Sequence, residues 1–440
     1  LARTLKIALL GLGVVGTGTV NVLQRNASEI TRRVGCELQV KTILVRDLSK
    51  ARQCDLKNIR VTNHLDEIIQ DPEIDIVVEA IGGITFAKTC IEQALLHGKH
   101  VVTANKALIA MEGNSLFRIA ESKGLSLSFE AAVAGGIPII KSLREGLGAN
   151  RIKEVYGIIN GTSNFLLTAM QDKGMSFAKA LSSAQDKGFT EANPTDDLEG
   201  IDAAHKITIL ASLAFGIPLQ FEKALVEGIT NIDACDLWYA FELGYVLKPM
   251  AFAKKVGQGI ELRVHPTLIP EDTIMAHVDG VMNAVTVIAD AVGPTLYYGQ
   301  GAGSEATASA IVADLIDVGR TCLSQSLQAL GRVPFLAFQS DALMDIPILQ
   351  QDQMQSAYYL RMEVSDRTGA LAKITKILAD YEISIEAVAQ KPAEERKTVP
   401  LIIITHRTLE GKMIQARNEL LCRPDILQAL HQIRIEKIGN

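Results

Sequence analysis

Three observations predict an α/β chain built in three units. The first third alternates short apolar strand runs with helically spaced segments, and glycines follow the first run. After Ala134 the texture shifts to longer helices and strands of another kind. Beyond the polar stretch Gln350–Gln355, the remaining elements run in the order β-α-β-β-α-β. Alternating strands and helices make βαβ units around a parallel sheet, and the closing order is that of a ferredoxin-like fold.

The elements follow in order. Leu5–Leu10 (LKIALL) is a short strand ending in glycines, and Val14–Arg25 has helical spacing. Leu38–Val45 (LQVKTILV), Ile74–Ala80 (IDIVVEA) and His100–Thr103 (HVVT) supply three more strands. Lys153–Asn160 (KEVYGIIN) and Glu261–Leu268 (ELRVHPTL) belong to a different sheet in an α+β unit. The run Ser304–Leu330 is helical again and is expected to pack back on the first unit. The 440 residues suit about three domains at roughly 150 residues each. The expected divisions are 1–133 with about 304–330, then 134–303, a linker at 331–355, and 356–440.

Composition narrows the function. A net charge of −6 argues against a general nucleic-acid binder. No apolar run approaches the roughly 20 residues that span a bilayer. LARTLK leads straight into a strand, so no signal peptide is expected. The six cysteines form no C-x-x-C pair and the histidines lack ligand spacing. A reducing, cytoplasmic setting is the expectation.

Gly11, Gly13 and Gly16 form G-x-G-x-x-G directly after a strand and at the opening of a helix. The first glycine allows the turn, the second lets the backbone approach a pyrophosphate, and the third lets helix pack on strand. This predicts a Rossmann-type dinucleotide site, with Leu12, Val14 and Val15 in the loop. The second strand ends Val45-Arg46-Asp47. An acid there suits the ribose hydroxyl of NAD, whereas an arginine suits a 2′-phosphate. Arg46, helped by Lys50, leans toward NADP(H), and Asp47 keeps NAD(H) open.

Asn193–Ile207 reads NPTDDLEGIDAAHKI. Asp202 and Lys206 are four apart and share a helix face; Leu198, Ile201, His205, Ile209 and Leu213 mark a buried stripe. One reading is an ion pair on a solvated helix, worth about 0.3–0.5 kcal/mol. The other is catalytic: carbonyl reduction needs a proton for oxygen, and a lysine ammonium can donate it. Asp202 would hold the amine charged, and a second lysine, Lys106, would offset that. Asp196 is a candidate helix cap.

Seven segments, in order, carry a resemblance: GLGVVGTG, VVEAIGG (Val77–Gly83), VVTANKALIA (Val101–Ala110), FEAAVAGGIPII (Phe129–Ile140), IINGTSNFLL (Ile158–Leu167), KGFTEANPTDDLEGIDAAHK (Lys187–Lys206) and GQGAGSEATASAIVADL (Gly299–Leu315). Together they resemble homoserine dehydrogenases of the monofunctional type with a C-terminal ACT domain. The resemblance implies a Rossmann domain, a catalytic and dimerisation domain, and a regulatory ACT domain. It implies reversible NAD(P)H-dependent interconversion of L-aspartate 4-semialdehyde and L-homoserine, a step toward threonine, methionine and isoleucine. Lys206 would be proton donor and acceptor, with Lys106 and Asp202 as partners. Thr162, Glu191, Asp197 and Asp202 would hold substrate. Gly82, Thr103, Lys106 and Gly303 would join the glycine loop and Arg46 at the cofactor. Glu130 and carbonyls near Val133, Gly135 and Ile137 would hold a sodium or potassium ion, although a glycine turn between domains is the alternative. Ser304 is a plausible helix N-cap.

Phe189 stands where related proteins often carry tyrosine, and Phe165 also lacks a hydroxyl, so a substrate hydrogen bond is expected to be missing. There is no aspartate-kinase segment. A homodimer or homotetramer is expected. Two other readings stand beside this one. An aspartate-semialdehyde dehydrogenase would need a cysteine nucleophile, and a non-catalytic amino-acid sensor would not need Lys106, Asp202 and Lys206. In the third unit, Asp366-Arg367-Thr368-Gly369 resembles the effector turn of ACT domains, which implies L-threonine inhibition; strengthened oligomerisation alone is the alternative. A chain ending near Gln350 is expected to stay active without that inhibition.

Overall fold

The computed structural model describes residues 4–190, 193–324, 333–390, 398–424, 426 and 430–438. Its first sheet contains β1 (Thr4–Leu10), β2 (Glu37–Leu44), β3 (Arg60–Thr62), β4 (Ile74–Glu79), β5 (His100–Thr103) and β6 (Leu127–Ser128). They lie in the order β3-β2-β1-β4-β5-β6, and every neighbouring pair is parallel. The strand order reverses between β1 and β4. Ligands bind beyond the strand C-termini at such a point. In register, Leu10 lies beside Glu79 and Glu79 beside Thr103, so the segments after β1, β4 and β5 emerge along one edge. Helix α1 (Val14–Arg25) leaves the glycine loop, and α2 (Lys106–Ser122) follows β5.

The second unit contributes β7 (Ile152–Ile158), α3 (Gly161–Lys173), α4 (Ile201–Phe215), β8 (Tyr245–Val256), β9 (Gly259–Pro270), β10 (Met282–Ala289) and β11 (Pro294–Gln300). Helix α5 (Ser304–Leu323) then returns to the first sheet. Its Ala308, Ile311 and Leu315 are buried with Leu5, Ile7 and Val20. Ser304 is the first helical residue and Gly303 the cap, which corrects the expected N-cap. The Ser304 hydroxyl instead donates to the Val14 carbonyl at 2.8 Å. The expected helical run beyond Ser324 lies outside the described residues.

The third unit holds β12 (Gln355–Ser365), α6 (Ala370–Asp380), β13 (Ile385–Gln390), β14 (Thr398–Thr405), a helix at Glu410–Leu421 and β15 (His431–Ile435). Its sheet is not separate. The second sheet runs β11-β10-β7-β8-β9-β15-β12-β14-β13, and β15 pairs parallel with β9. A local pattern predicts a strand but not which edge it will join, so sequence reading missed this junction.

The junction has an apolar core. Tyr359, Ile402, Ile404, Ile433 and Ile435 are buried with Leu166, Leu198, Leu237, Leu247 and Leu268. Each such side chain contributes about 1.5–3 kcal/mol. The core is flanked by charge: Arg361 meets Asp236 and Asp233, and fully buried Arg263 meets Glu436 at 2.7 Å. A chain ending near Gln350 would bare this core and leave Arg263 and Asp236 without these partners. The structure therefore argues against the expectation that it stays active. The stretch read as linker is not slack either. Ile260 donates to the Pro347 carbonyl and Leu349 to the Ile260 carbonyl, and Gln351–Gln353 form a capped turn.

Candidate active site

At the β1 C-terminus, Gly11 has a positive φ of 95°, and a Cβ there would lie 2.6 Å from the Ala80 carbonyl oxygen. Only glycine makes that turn without strain. A Cβ on Gly16 would lie 2.2 Å from the Gly11 oxygen, so helix and loop pack without one. At Gly13, the α1 cap, a Cβ would meet no protein atom within 4 Å. This open backbone faces a cleft of about 820 Å³ lined by Gly11, Leu12, Gly13 and Ile81, among others. The arrangement fits a pyrophosphate held by the helix N-terminus.

Arg46, Asp47, Lys50 and Arg52 line the cleft's outer end. The Asp47 carboxylate accepts from the Ser49 amide at 2.8 Å and hydroxyl at 2.6 Å. The acid is thus bound into its own turn, while three cations border the cleft. Arg52, whose guanidinium donates to the Asp47 carbonyl, was not singled out from sequence. Its position after a loop gave no pattern.

Of the other proposed cofactor residues, exposed Val14 and half-buried Val15 lie in the first turn of α1, and Gly303 is brought beside Val14 by Ser304. Gly82 lies in the turn after β4. Thr103 is fully buried: its hydroxyl donates to Glu79 at 2.6 Å, and Glu79 also accepts from the Ile81 and Gly82 amides. Asn105 caps α2 and donates to the Gly83 carbonyl. Glu79 and Asn105 thus shape this rim. They were within quoted motifs but not assigned roles.

Lys106 opens α2 and reaches into the second unit. Its ammonium is 2.7 Å from Asp202, whose other oxygen accepts from Lys206 at 2.6 Å. Lys206 also donates to the Ile159 carbonyl at 2.8 Å. One carboxylate therefore joins two ammoniums. Helix α4 is buried from Asp202 to Phe215, with Asp202 at 5% and Lys206 at 7% exposure. This rules out the pair on a solvated helix. Burial pushes the Lys206 pKa down and Lys106 adds to that, outweighing Asp202. Burial pushes Asp202 up, but the two ammoniums win and hold it below the usual carboxylate range.

Asn160 completes the group. It caps α3 through its carbonyl and donates to Asp202 at 2.9 Å and Asp197 at 2.7 Å. The NGTSN motif contains it, but only position in the fold reveals its bridging role. Burial pushes Asp197 up, and Thr162 lies within its reach. The Thr162 hydroxyl donates to the Phe189 carbonyl, and Phe189 meets Phe165 edge-on. Glu191 lies outside the described residues. Asp196 is exposed in the short helix Thr195–Leu198; Pro194 precedes that helix and Gly200 precedes α4, so it caps neither.

Glu130 follows β6. Its carboxylate accepts from the Ile140 and Lys141 amides, while Lys141's ammonium goes to Asp317 and the Ala313 carbonyl. Burial, with nearby Asp314, pushes Glu130 up to about 7. Val133 ends the turn and Gly135 packs on Gly301; Ile137 follows. No cluster of three His, Cys, Asp or Glu suited to a metal occurs among the described residues. One buried carboxylate with backbone carbonyls suits a monovalent rather than a highly charged cation. Cys90 is pushed up to about 12 by burial and is unsuited to nucleophilic catalysis. No described helix is long and apolar enough to cross a membrane.

Comparison with known proteins agrees with this architecture. Residues 11–130 match the homoserine dehydrogenase NAD-binding domain, 138–316 the homoserine dehydrogenase domain, and 358–422 the ACT domain. The chain is 51% identical to a homoserine dehydrogenase of Pseudomonas aeruginosa, covering 99% of this chain and 100% of that one. It superposes on a homoserine dehydrogenase from Thiobacillus denitrificans with TM-score 0.94 at 52% identity, covering 99% of both chains. A hyperthermophilic archaeal homoserine dehydrogenase in complex with NADPH aligns at TM-score 0.61 and 28% identity, over 72% of this chain and 98% of that one.

Proposed function

From the premise that this chain belongs to the homoserine dehydrogenase family and is an oxidoreductase of that kind, we propose which residues carry out the reversible reduction of L-aspartate 4-semialdehyde to L-homoserine. The carrying observation is the buried Lys106–Asp202–Lys206 group, set where the glycine-loop edge meets the second unit. In reduction, Lys206 gives a proton to the aldehyde oxygen; in oxidation its neutral amine removes the alcohol proton. Lys106 lowers that amine's pKa, and Asp202 orients both lysines. Asp197, with Asn160 and Thr162 beside it, receives the substrate α-ammonium, and Glu191 shares that task. A bound nicotinamide cofactor supplies or accepts the hydride. The deciding assay is NADPH oxidation with aspartate semialdehyde in the absence of phosphate. No turnover under those conditions rejects the reading, and phosphate-dependent reduction of NADP+ by the same aldehyde, in place of NADPH oxidation, favours the thioester enzyme.

NADP(H) is the preferred cofactor in this reading, with NAD(H) possible. Gly11, Leu12, Gly13, Val14, Val15 and Gly16 cradle the pyrophosphate; Gly82, Thr103, Lys106 and Gly303 border the rest. Because the Thr103 side chain is committed to Glu79, its contact would be through backbone. Arg46, with Lys50 and Arg52, faces the 2′-phosphate. Arg46→Ala is expected to weaken NADPH by about tenfold, one charge-assisted bond's worth, and NADH little. Equal losses for both cofactors in fluorescence titration would remove the 2′-phosphate role.

A sodium or potassium ion beside Glu130, with carbonyls of Val133, Gly135 and Ile137, is proposed as structural. Its charge would keep Glu130 ionised at neutral pH. The enzyme is proposed to be cytoplasmic and a homodimer or homotetramer. L-threonine is the proposed effector, held at the Asp366–Gly369 turn beside the N-terminus of α6. L-threonine is expected to inhibit the full chain non-competitively with homoserine, and Asp366→Ala to remove that inhibition at unchanged basal kcat. Competitive inhibition, or inhibition intact in Asp366→Ala, would place threonine elsewhere.

A further inference from the structure

We propose that Arg434, on β15, is a positioning residue for Asp197 and acts through Glu227. The inference rests on the reading of Asp197 as a substrate-binding acid. Arg434 is 5% exposed and sits between two carboxylates. Nη1 and Nη2 donate to Glu227 at 2.6 and 2.8 Å, Nε donates to Glu410 at 3.0 Å, and Nη2 also reaches Glu410. Glu410 and Arg434 belong to the third unit; Glu227 belongs to the second. Glu227's side chain is 41% exposed. It would turn toward water without the guanidinium, whose planar fork fixes a carboxylate in one orientation.

Glu227 leads directly to the site. Its amide donates to the Val264 carbonyl of β9 at 2.8 Å. At Gly228 a Cβ would lie 2.4 Å from the Leu198 oxygen and 2.7 Å from Glu199 Cα, so the two backbones touch. The Ile229 amide donates to the Leu198 carbonyl at 2.9 Å. Ser163 fixes the neighbouring Asp197 carbonyl from the other side at 2.8 Å. The strip 227–229 thus clamps the short helix that carries Asp197, and Arg434 anchors the strip. The third unit completes the substrate pocket through backbone contacts, without touching substrate.

The test uses the full chain with Glu227→Gln, Arg434→Met and Arg434→Lys, compared with Asp197→Asn. Near-UV circular dichroism and thermal melting establish folding, and Glu227→Gln serves if Arg434→Met does not fold. KM for homoserine should rise about tenfold in Glu227→Gln and in Arg434→Met. The double variant should be no worse than Arg434→Met, and Arg434→Lys should recover part of the loss. kcat and NADPH affinity should stay within about twofold. If Asp197→Asn raises KM but Glu227→Gln and Arg434→Met do not, the positioning proposal fails. If Asp197→Asn leaves KM unchanged, the reading of Asp197 fails, and the proposal with it. Parallel losses in kcat and NADPH affinity would reduce Arg434 to a stabilising contact and overturn the proposal.

Discussion

Lys206→Ala is expected to lower kcat by about 10²–10⁴-fold while NADPH binding stays near wild type. The reason is geometric. An ammonium has three N–H donors; Lys206 uses two, on Asp202 and the Ile159 carbonyl. The third is available for a substrate oxygen. Burial also lowers its pKa toward the range where one group can give and take a proton. Removing the side chain does not leave Asp202 bare, because Lys106 and Asn160 still face it. The loss should therefore fall on turnover rather than folding. Single-turnover kinetics and a thermal melt separate the two, and a near-wild-type kcat would take Lys206 out of the mechanism.

Asp202→Asn is expected to cost about 10²-fold in kcat, the scale of a misplaced catalytic group. It should also shift the pH profile. The carboxylate favours the charged amine, so its removal lowers the Lys206 pKa further. Homoserine oxidation needs the neutral amine and rises as pH passes that pKa. The acidic limb of the oxidation profile should move to lower pH. A limb that stays in place, or moves up, would show that Asp202 does not set the Lys206 charge. An unchanged kcat would leave only a structural ion pair.

Short-range features were legible in the sequence. Strand, glycine turn and helix at Leu5–Arg25 announce themselves by local pattern, and Asp202 and Lys206 share a face through helical spacing alone. The tertiary setting was not legible. The polar start of α4 suggested a solvated face, yet the fold buries it, because neighbouring elements rather than periodicity decide exposure. The Lys106–Asp202 distance spans 96 positions and needs two units brought together. Asn160 had no role assigned from sequence, and its cap and its amide between two acids are seen only in the fold. Asp196 and Ser304 had the chemistry of caps but sit one or more positions from the cap residues Pro194, Gly200 and Gly303. The parallel pairing of β9 with β15 has no local signal.

That pairing has a consequence for assembly of the chain itself. β15 is the last described strand in sequence but lies inside the second sheet, between β9 and β12. The order of synthesis is therefore not the order of the sheet. While the second unit emerges from a ribosome, Leu225–Val226 can already pair with β9 at Arg263–Val264, but its Thr267–Leu268 end waits with an unpaired edge until residues 431–435 arrive. Closing so distant a pairing is entropically slow. The parallel first sheet has all its strands by residue 128, and α5, which covers one of its faces, follows at 304–323. The second sheet becomes continuous only when almost the whole chain is present, and this makes its completion a late check on an intact polypeptide.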